Sequence, residues 1–284
     1  HEMAPLLRTT VGTVITVEVE APPGLPPVMA DPVQVESALL NLVLNARDAL
    51  PNGGRVIIEC AEATVDEAYA ARFEELSPGE YVVLSVSDDG TGMPADVLKR
   101  ATEPFFTTKD VGKGSGLGLS MIYGFAKQSG GHLNLYSEVG HGTTIRLYLP
   151  RAAGSAAAGA RPHPPLAARG PERILVVEDD AQVREQAVAI LREQGHTVAE
   201  ASSGAEAVEI ALEDPDLRLV LMDLVLPGGM SGKRCADAIL EHRPDIRILY
   251  TSGYTETAIA HQGHLDPGAK VLSKPYRRAE LVER

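Results

Sequence analysis

The chain has 284 residues, 44% of them hydrophobic, which is enough material for two ordinary domains with separate cores. Its formal net charge of −13 disfavours a nucleic acid as a partner, because a phosphate backbone would be repelled. Two cysteines form no zinc, disulfide or redox pattern, which is typical of a reducing compartment. No run of about 18 apolar residues predicts a membrane span. We therefore expect a cytoplasmic location for this part of the protein, although the full-length protein could be membrane-anchored.

The first half mixes strand and helix patterns. Residues 12–20, GTVITVEVE, alternate as in a half-exposed strand. Residues 31–50 have apolar residues at helical spacing, with Asp31 as a candidate N-cap and Pro32 in the first turn. Four strand-like runs bounded by Gly, Pro or Asp follow, namely RVIIECAEA, EYVVLSVSDDG, GHLNLYSEVG and GTTIRLYLP. This mixture predicts an α+β sandwich over residues 10–150.

The composition changes at residues 151–171, which are almost only Ala, Gly, Pro and Arg and predict a flexible linker. Beyond it, over residues 172–284, short apolar strands alternate with amphipathic helices in five βα units. This alternation predicts a doubly wound parallel sheet of five strands, with its chemistry at the carboxyl ends of the strands. The last helix, RRAELVER, stops soon after it starts, so we expect the second domain to be truncated there.

A glycine-rich loop, DVGKGSGLGLS at residues 110–120, is typical of phosphate binding. The nucleotide P-loop pattern fails, because Thr107 stands at its first glycine position and Gly114 at its Ser or Thr position. The dinucleotide pattern fails as well, because Leu117 or Leu119 stands at its last glycine position. By itself, the loop remains open to a second interpretation as a plain flexible connection.

The motifs around this loop are more specific. They are Asn41 and Asn45 on one helix, DDGTG at 88–92, EPFFTTK at 103–109, GKGSGLGL at 112–119 and GHGT at 140–143. In this order they resemble the N, G1, F and G2 boxes and a third glycine box of histidine-kinase-type ATPase domains. That family shares its ATP fold with gyrase, the Hsp90 chaperones and MutL. The resemblance covers residues 10–150 and implies ATP and Mg²⁺ as ligands.

The resemblance also implies individual roles. Asn45 would ligate Mg²⁺ with help from Asn41, and Asp88 would accept a hydrogen bond from the adenine amino group. A lysine often follows the magnesium asparagine by three residues in this family, whereas Asp48 stands here after Arg47. Which cation meets the phosphates is therefore left open. The implied nucleotide-binding set is Asn41, Asn45, Asp88, Gly90, Gly92, Lys109, Gly112, Lys113, Gly114, Gly116, Leu117, Gly118 and Thr143. Solvated lysines at 109 and 113 and a plain strand threonine at 143 are the alternatives.

The hydrolytic members of the family carry a glutamate at the position of Asn41, and an amide cannot act as a general base. Efficient hydrolysis is therefore disfavoured, while phosphoryl transfer to a protein nucleophile remains possible. The first residues, HEMAP, resemble the start of a phosphoacceptor box, but the proline comes one residue early. We predict instead that residues 1–9 are the remnant of a dimerisation helix and that the histidine-bearing hairpin is missing. The fragment is then expected to be monomeric and the full-length protein homodimeric.

In the second half, ILVVEDD, LMDLVLP, YTSG and LSKP end successive predicted strands. Converging carboxylates would repel one another without a cation between them. The four motifs resemble a response-regulator receiver over residues 172–284. That resemblance implies Asp223 as phosphoacceptor, Ser252 as switch hydroxyl and Lys274 as the neutralising cation. It further implies a Mg²⁺ site made of Glu178, Asp179, Asp223 and the carbonyl of Val225. Val271 occupies the usual aromatic switch position, so Tyr254 is the candidate to carry the signal.

Together the two resemblances predict part of a hybrid histidine kinase. ATP would phosphorylate a histidine on the missing hairpin, and the phosphate would pass to Asp223 and then to a histidine phosphotransfer protein. The main alternative is a non-catalytic nucleotide-sensing module in which the receiver is a phosphate sink or brake. A gyrase-like or chaperone-like ATPase and an anti-sigma type serine kinase explain the receiver less simply.

Overall fold

The computed structural model describes residues 3–70, 76–109, 115–152, 170–226, 230–254, 259, 265, 269–274, 276 and 278–283. The chain divides into two compact units, residues 1–160 and 161–284. Most of the predicted linker, residues 153–169, lies outside the described residues. Nearly all of the element predicted at TETAIAHQG, residues 255–263, lies outside them as well.

The first unit contains a mixed five-stranded sheet and helices on it. Its elements are α1 (Ala4–Val11), β1 (Ile15–Glu20), α2 (Pro32–Asp48), β2 (Gly54–Val65), α3 (Glu67–Ala70), β3 (Gly79–Asp88), α4 (Ala95–Arg100), α5 (Gly118–Gln128), β4 (His132–Glu138) and β5 (Gly142–Pro150). The strand order is β1-β2-β3-β5-β4, with β1 parallel to β2 and the other pairs antiparallel. The α+β sandwich expected from the sequence is confirmed.

Helix α2 begins as the sequence predicts, since the Asp31 side chain accepts a hydrogen bond from the amide of Val33 at 2.9 Å. It packs on the sheet together with α1 and α5, and the shared core includes Leu7, Leu42 and Ile122. A helix thus runs through most of residues 1–9, but its origin in a dimerisation helix stays a prediction. The polar residues of α2 are therefore available to line a binding site.

The second unit is a parallel sheet. Its elements are β6 (Arg173–Val177), α6 (Ala181–Glu193), β7 (Thr197–Ala201), α7 (Gly204–Glu213), β8 (Leu217–Asp223), α8 (Gly232–His242), β9 (Arg247–Ser252), β10 (Lys270–Ser273) and α9 (Arg278–Glu283). The strand order is β10-β9-β8-β6-β7, and all neighbouring strands are parallel. This order confirms the doubly wound, flavodoxin-like sheet. Among the helices of the described ranges, none combines the length and apolar character needed to cross a bilayer.

Replacing Leu147 by alanine should make the first unit less stable to unfolding. Leu147 is fully buried (0% exposed) in the core beneath α2, so the change leaves a cavity and should lower the free energy of unfolding by about 2–5 kcal/mol. Urea denaturation followed by circular dichroism measures the loss. Leu6→Ala, at a leucine that is 54% exposed, is the matched control and should change it little. Equal effects of the two variants would contradict this account of the core.

Candidate nucleotide and phosphoacceptor sites

The first unit contains a cavity of about 450 Å³ between α2, the end of β3, the start of α5 and the segment after α4. Its size is within the range typical of small-molecule sites. In the described lining, the charged side chains are Arg47, Asp48, Asp88 and Lys109. The sequence-predicted residues that it brings together are Asn41, Asn45, Asp88, Gly92, Lys109, Gly116, Gly118 and Thr143.

Asp88 forms a buried acidic end of this cavity. It is the last residue of β3 and lies opposite Thr143 of β5, with only 7% of its surface exposed. Burial raises the pKa of Asp88 to about 7, against the lowering effect of the backbone amides of Gly90 and Thr143. The amide of Gly90 donates to its Oδ1 at 2.9 Å. The neighbouring Asp89 accepts from the amide of Arg55 at 2.7 Å and so ties β2 to the end of β3.

Ser137 on β4 organises the loops beside Asp88, and the sequence analysis missed it. Its Oγ accepts from the amide of Met93 (2.8 Å) and lies within hydrogen-bond distance of the carbonyl of Gly142 (3.0 Å) and of Thr143 Oγ1 (2.9 Å). Gly92 is also constrained, because its φ is 64° and a Cβ there would lie 1.7 Å from a backbone carbonyl oxygen of β4. A lone serine in a strand carries no sequence signal for such a role.

Asn41 and Asn45 lie one turn apart on α2 and face the start of α5. A Cβ on Gly118 would lie 3.7 Å from Asn45 Nδ2 and 3.8 Å from Asn41 Oδ1, which is ordinary van der Waals contact, so α5 begins close to both amides. Free N–H groups at a helix start favour an anion. The two side-chain amides and this helix start thus lie together in the lining of the cavity.

The glycine loop is fastened where it joins the rest of the unit. The amide of Phe105 donates to the carbonyl of Gly116 at 2.9 Å, and a Cβ on Gly116, whose φ is 66°, would lie 2.4 Å from the Phe105 backbone. Phe105 itself has a φ of 67°, which is strained for a bulky residue, and is 74% exposed. Leu117 precedes α5, and its amide donates to Ser115 Oγ at 3.3 Å. The predicted residues Gly112, Lys113 and Gly114 lie outside the described residues.

Lys109 reaches across from this segment to α2. Its Nζ lies 2.5 Å from Asp48 Oδ2, while Arg47 Nη2 lies 2.8 Å from Asp48 Oδ1. Burial tends to raise the pKa of Asp48, but the two ion pairs outweigh it and hold that pKa below its ordinary value. The residue that departs from the family pattern is therefore paired with a predicted nucleotide-binding lysine.

In the second unit, three carboxylates and one lysine converge at the carboxyl end of the sheet. Oxygen atoms of Glu178, Asp179 and Asp223 lie within 4.8 Å of one another. Lys274 Nζ lies 2.5 Å from Glu178 Oε2 and 2.7 Å from Asp223 Oδ2. Mg²⁺ prefers oxygen ligands, and the exposed Asp179 leaves this group open to solvent, so the three side chains fit a divalent cation. The amide of Val225 donates to Asp223 Oδ1 at 3.4 Å, which places Val225 at the same edge.

The pKa values of this cluster follow from its burial. Desolvation and then the neighbouring Asp223 raise the pKa of Glu178 to about 7. Burial likewise raises the pKa of Asp223, although Lys274 opposes the shift. Burial works against the ammonium form of Lys274, but the two carboxylates outweigh it and raise its pKa above the ordinary value. Lys274 thus already supplies part of the positive charge that the converging carboxylates require.

Strand alternation brings Thr251, rather than the predicted Ser252, to the face of Asp223. In the register of β8 and β9, Asp223 is the partner of Thr251, and the buried leucines two residues before each belong to one core cluster. Ser252 therefore points to the other face, where its Oγ accepts from the amide of Tyr254 at 3.0 Å. Both hydroxyl residues are buried, and so is Tyr254.

The two units match two different family models. Residues 30–153 match the model described as Histidine kinase-, DNA gyrase B-, and HSP90-like ATPase. Residues 174–284 match the model of the response regulator receiver domain. The first unit is therefore an ATP-binding domain of this ATPase class, and the second is a receiver.

Several sensor kinases are similar to this chain. Sensor kinase CckA of Brucella abortus (strain 2308) is 40% identical over 98% of this chain and 30% of that protein. Sensor histidine kinase ZraS of Escherichia coli (strain K12) is 36% identical over 44% of this chain and 23% of that protein. Sporulation kinase E of Bacillus subtilis (strain 168) is 32% identical over 44% and 15%. The chain thus spans less than a third of the length of these curated relatives.

Solved receiver structures are similar to the second unit. The receiver domain from hybrid histidine kinase CckA is 31% identical, with a TM-score of 0.33, over 39% of this chain and 93% of that chain. A CheY-like receiver from Methanospirillum hungatei JF-1 is 26% identical, with a TM-score of 0.35, over 40% of this chain and 90% of that chain.

Replacing Asp88 by asparagine should stabilise the nucleotide-free protein at high pH and weaken ATP binding. A carboxyl whose pKa is about 3 higher in the folded than in the unfolded state destabilises the fold by on the order of 4 kcal/mol once both states are ionised. Relative to Asp88→Asn, the wild type should therefore lose stability as pH rises from about 4 to about 7.

Thermal unfolding between pH 4 and 8 checks the stability, and calorimetric titration with Mg-ATP checks binding, where we expect a loss of about tenfold. Asp96→Asn, on the exposed surface of α4, is the control and should change neither quantity. A parallel pH dependence of Asp88→Asn and the wild type would contradict the assignment.

Proposed function

We propose that this chain, which joins a histidine-kinase-type ATPase domain to a receiver domain, is the ATP-binding and phosphate-receiving part of a hybrid sensor histidine kinase. One observation carries the proposal: the cavity beside α2 and the cluster of Glu178, Asp179 and Asp223 occur in a single chain that is similar over nearly its whole length to a sensor kinase. The reaction would be ATP-dependent phosphorylation of a histidine on a hairpin outside this chain, followed by transfer to Asp223.

At the nucleotide site, each residue has a role that its surroundings support. The Asp88 carboxylate would accept the adenine amino hydrogen, while Gly90 and Gly92 let the backbone approach the base. The amide oxygens of Asn41 and Asn45 would hold Mg²⁺, which when bound neutralises phosphate charge. Because Asn41 has no basic carboxylate, activation of water is disfavoured, and the phosphoryl group is kept for a protein acceptor.

At the receiver site, a carboxylate oxygen of Asp223 would attack the phosphorus of the phosphohistidine. The P–O bond forms as the P–N bond breaks, and the imidazole leaves. Lys274 neutralises charge on the transferred group, and the hydroxyl of Thr251 is our candidate to bond one phosphoryl oxygen, in place of Ser252. Glu178, Asp179, Asp223 and the carbonyl of Val225 would hold Mg²⁺ there.

Wider features of the proposal rest on the domain combination. Asp223 would pass its phosphate to a histidine phosphotransfer protein, and the full-length protein would act as a cytoplasmic-facing homodimer. This chain is expected to be monomeric, to bind Mg-ATP and not to phosphorylate itself.

Intact-mass measurement after incubation with Mg-ATP tests the relay, with the histidine-bearing hairpin of the full-length protein added as a separate polypeptide. We expect one phosphoryl group on the chain, absent when the hairpin is omitted. Asp223→Asn should abolish it because the nucleophile is lost, and Asn45→Ala should abolish phosphorylation of the hairpin itself. Asp216→Asn, at an exposed position of the second unit, is the control and should behave as the wild type.

A second phosphoryl donor separates the possible failures. Acetyl phosphate should label Asp223 without ATP, the hairpin or Asn45. ATP binding without any modification of the hairpin would reject the kinase and favour a nucleotide-sensing module with a receiver as phosphate sink. Labelling of Asp223→Asn to the wild-type level would reject the proposed phosphoacceptor.

A further inference from the structure

We infer that Asp48 is a positioning residue of the nucleotide site, which anchors Lys109 to α2 and thereby directs the lysine ammonium at the phosphates of ATP. The inference deepens the assignment of the nucleotide cavity, and its kinetic part rests on the proposed kinase function. From the sequence alone, Asp48 is notable only because a lysine often occupies this position in the family.

A carboxylate in the wall of a triphosphate pocket repels the ligand unless it is neutralised. Asp48 lines the cavity, and each of its two oxygens has its own cation. Oδ1 accepts from Arg47 Nη2 at 2.8 Å and Nε at 3.0 Å, whereas Oδ2 accepts from Lys109 Nζ at 2.5 Å. One anion and two cations leave a net positive charge at this wall.

Lys109 retains donors for a phosphate while Asp48 holds it. An ammonium has three N–H donors, and one suffices for Asp48. Arg47 turns both its Nε and its Nη2 to Asp48 Oδ1. The amide of Lys109 also donates to Thr107 Oγ1 at 3.1 Å, which forms a local turn within the same segment.

The anchor has a physical purpose. A free lysine side chain loses up to about 2 kcal/mol of rotamer entropy when a ligand orders it. Asp48 lies on a helix that is packed into the core, three residues after Asn45 and thus on a neighbouring part of the same face. Holding Lys109 there in the free protein meets part of that cost in advance and places the ammonium beside the proposed magnesium ligand.

The anchor should also matter for the transfer step. As the bond from the γ-phosphorus to the bridging oxygen breaks and a bond to the histidine nitrogen forms, negative charge develops on the departing ADP. A cation that is already in position stabilises this charge without reorganising. Asp48 would therefore affect the rate through Lys109, without touching the nucleotide itself.

The first experiment measures what Lys109 contributes to binding. Lys109→Met should weaken Mg-ATP binding by about tenfold or more, as expected for a charged hydrogen bond, and AMP binding by less than about twofold. Lys99→Met, which removes an exposed lysine of α4 outside the cavity, is the matched control. Equal losses of ATP and AMP in Lys109→Met would overturn a phosphate-binding role.

The second experiment makes the Lys109→Met substitution in Asp48→Asn protein, where the anchor is absent. Its readout is ATP affinity, so it does not depend on kinase activity. In Asp48→Asn protein, Lys109→Met should cost ATP affinity only about threefold or less, because an unanchored lysine contributes less. Asp48→Glu should restore part of the difference, and Asp96→Asn should leave it unchanged. A loss as large as in the wild type, or larger, would overturn the anchor and make Asp48 a competitor for Lys109.

The rate of phosphoryl transfer distinguishes the positioning of Lys109 by Asp48 from the effect of the Asp48 charge on ATP affinity. In Asp48→Asn, loss of the anchor and loss of the repelling carboxylate oppose each other in ATP affinity, which should change by less than about threefold. The rate of transfer to the hairpin from saturating ATP should nevertheless fall by about tenfold. An unchanged rate would overturn the kinetic part. If the wild type binds ATP but never modifies the hairpin, the proposed function fails, while the binding cycle still decides the role of Asp48.

Discussion

The packing of α2 on the mixed sheet is the constraint on which the nucleotide site depends. The helix is capped by Asp31 and buries Leu42, Val43 and Ala46 in the core, so its rotation about its own axis is set by apolar contacts. With that rotation set, Asn41, Asn45 and Asp48 fall along the wall of the cavity. Gly118, in the first turn of α5, lies close to Asn41 and Asn45. The apolar residues of α2 therefore pack in the core, while its polar residues line the nucleotide cavity.

Both domains use a lysine from a distant segment to balance carboxylates that the fold brings into a site. In the receiver, Lys274 at the end of β10 lies between Glu178 and Asp223 at the ends of β6 and β8. In the ATPase domain, Lys109 meets Asp48, which is 61 residues away in the chain. Burial raises the pKa values of Glu178 and Asp223, whereas in the less buried Asp48 the ion pairs with Lys109 and Arg47 outweigh burial and lower the pKa. The two lysine–carboxylate contacts thus occur with opposite pKa shifts of their carboxylates.

The sequence indicates the chemical groups of each site better than their orientations. Short-range signals were sufficient for the Asp31 cap and for both sheets. The switch hydroxyl shows the limit of this approach, because side chains alternate along a strand and a shift of one residue reverses the face. The motif alone favoured Ser252, whereas the register of β8 with β9 sets Thr251 beside Asp223. Ser137 was missed for a related reason, since its hydrogen bonds join β4 to two loops and leave no local pattern.

By itself, the sequence determined the two domain types, the order of their elements and the carboxylates, amides and glycines available to each site. These features depend on periodicity and on motifs within a few residues of one another, which local propensity can encode. Only the tertiary structure decided which cation meets Asp48 and which hydroxyl shares a face with Asp223. Those two outcomes depend on contacts between segments far apart in the chain, and such contacts exist only after α2 and the strands have packed.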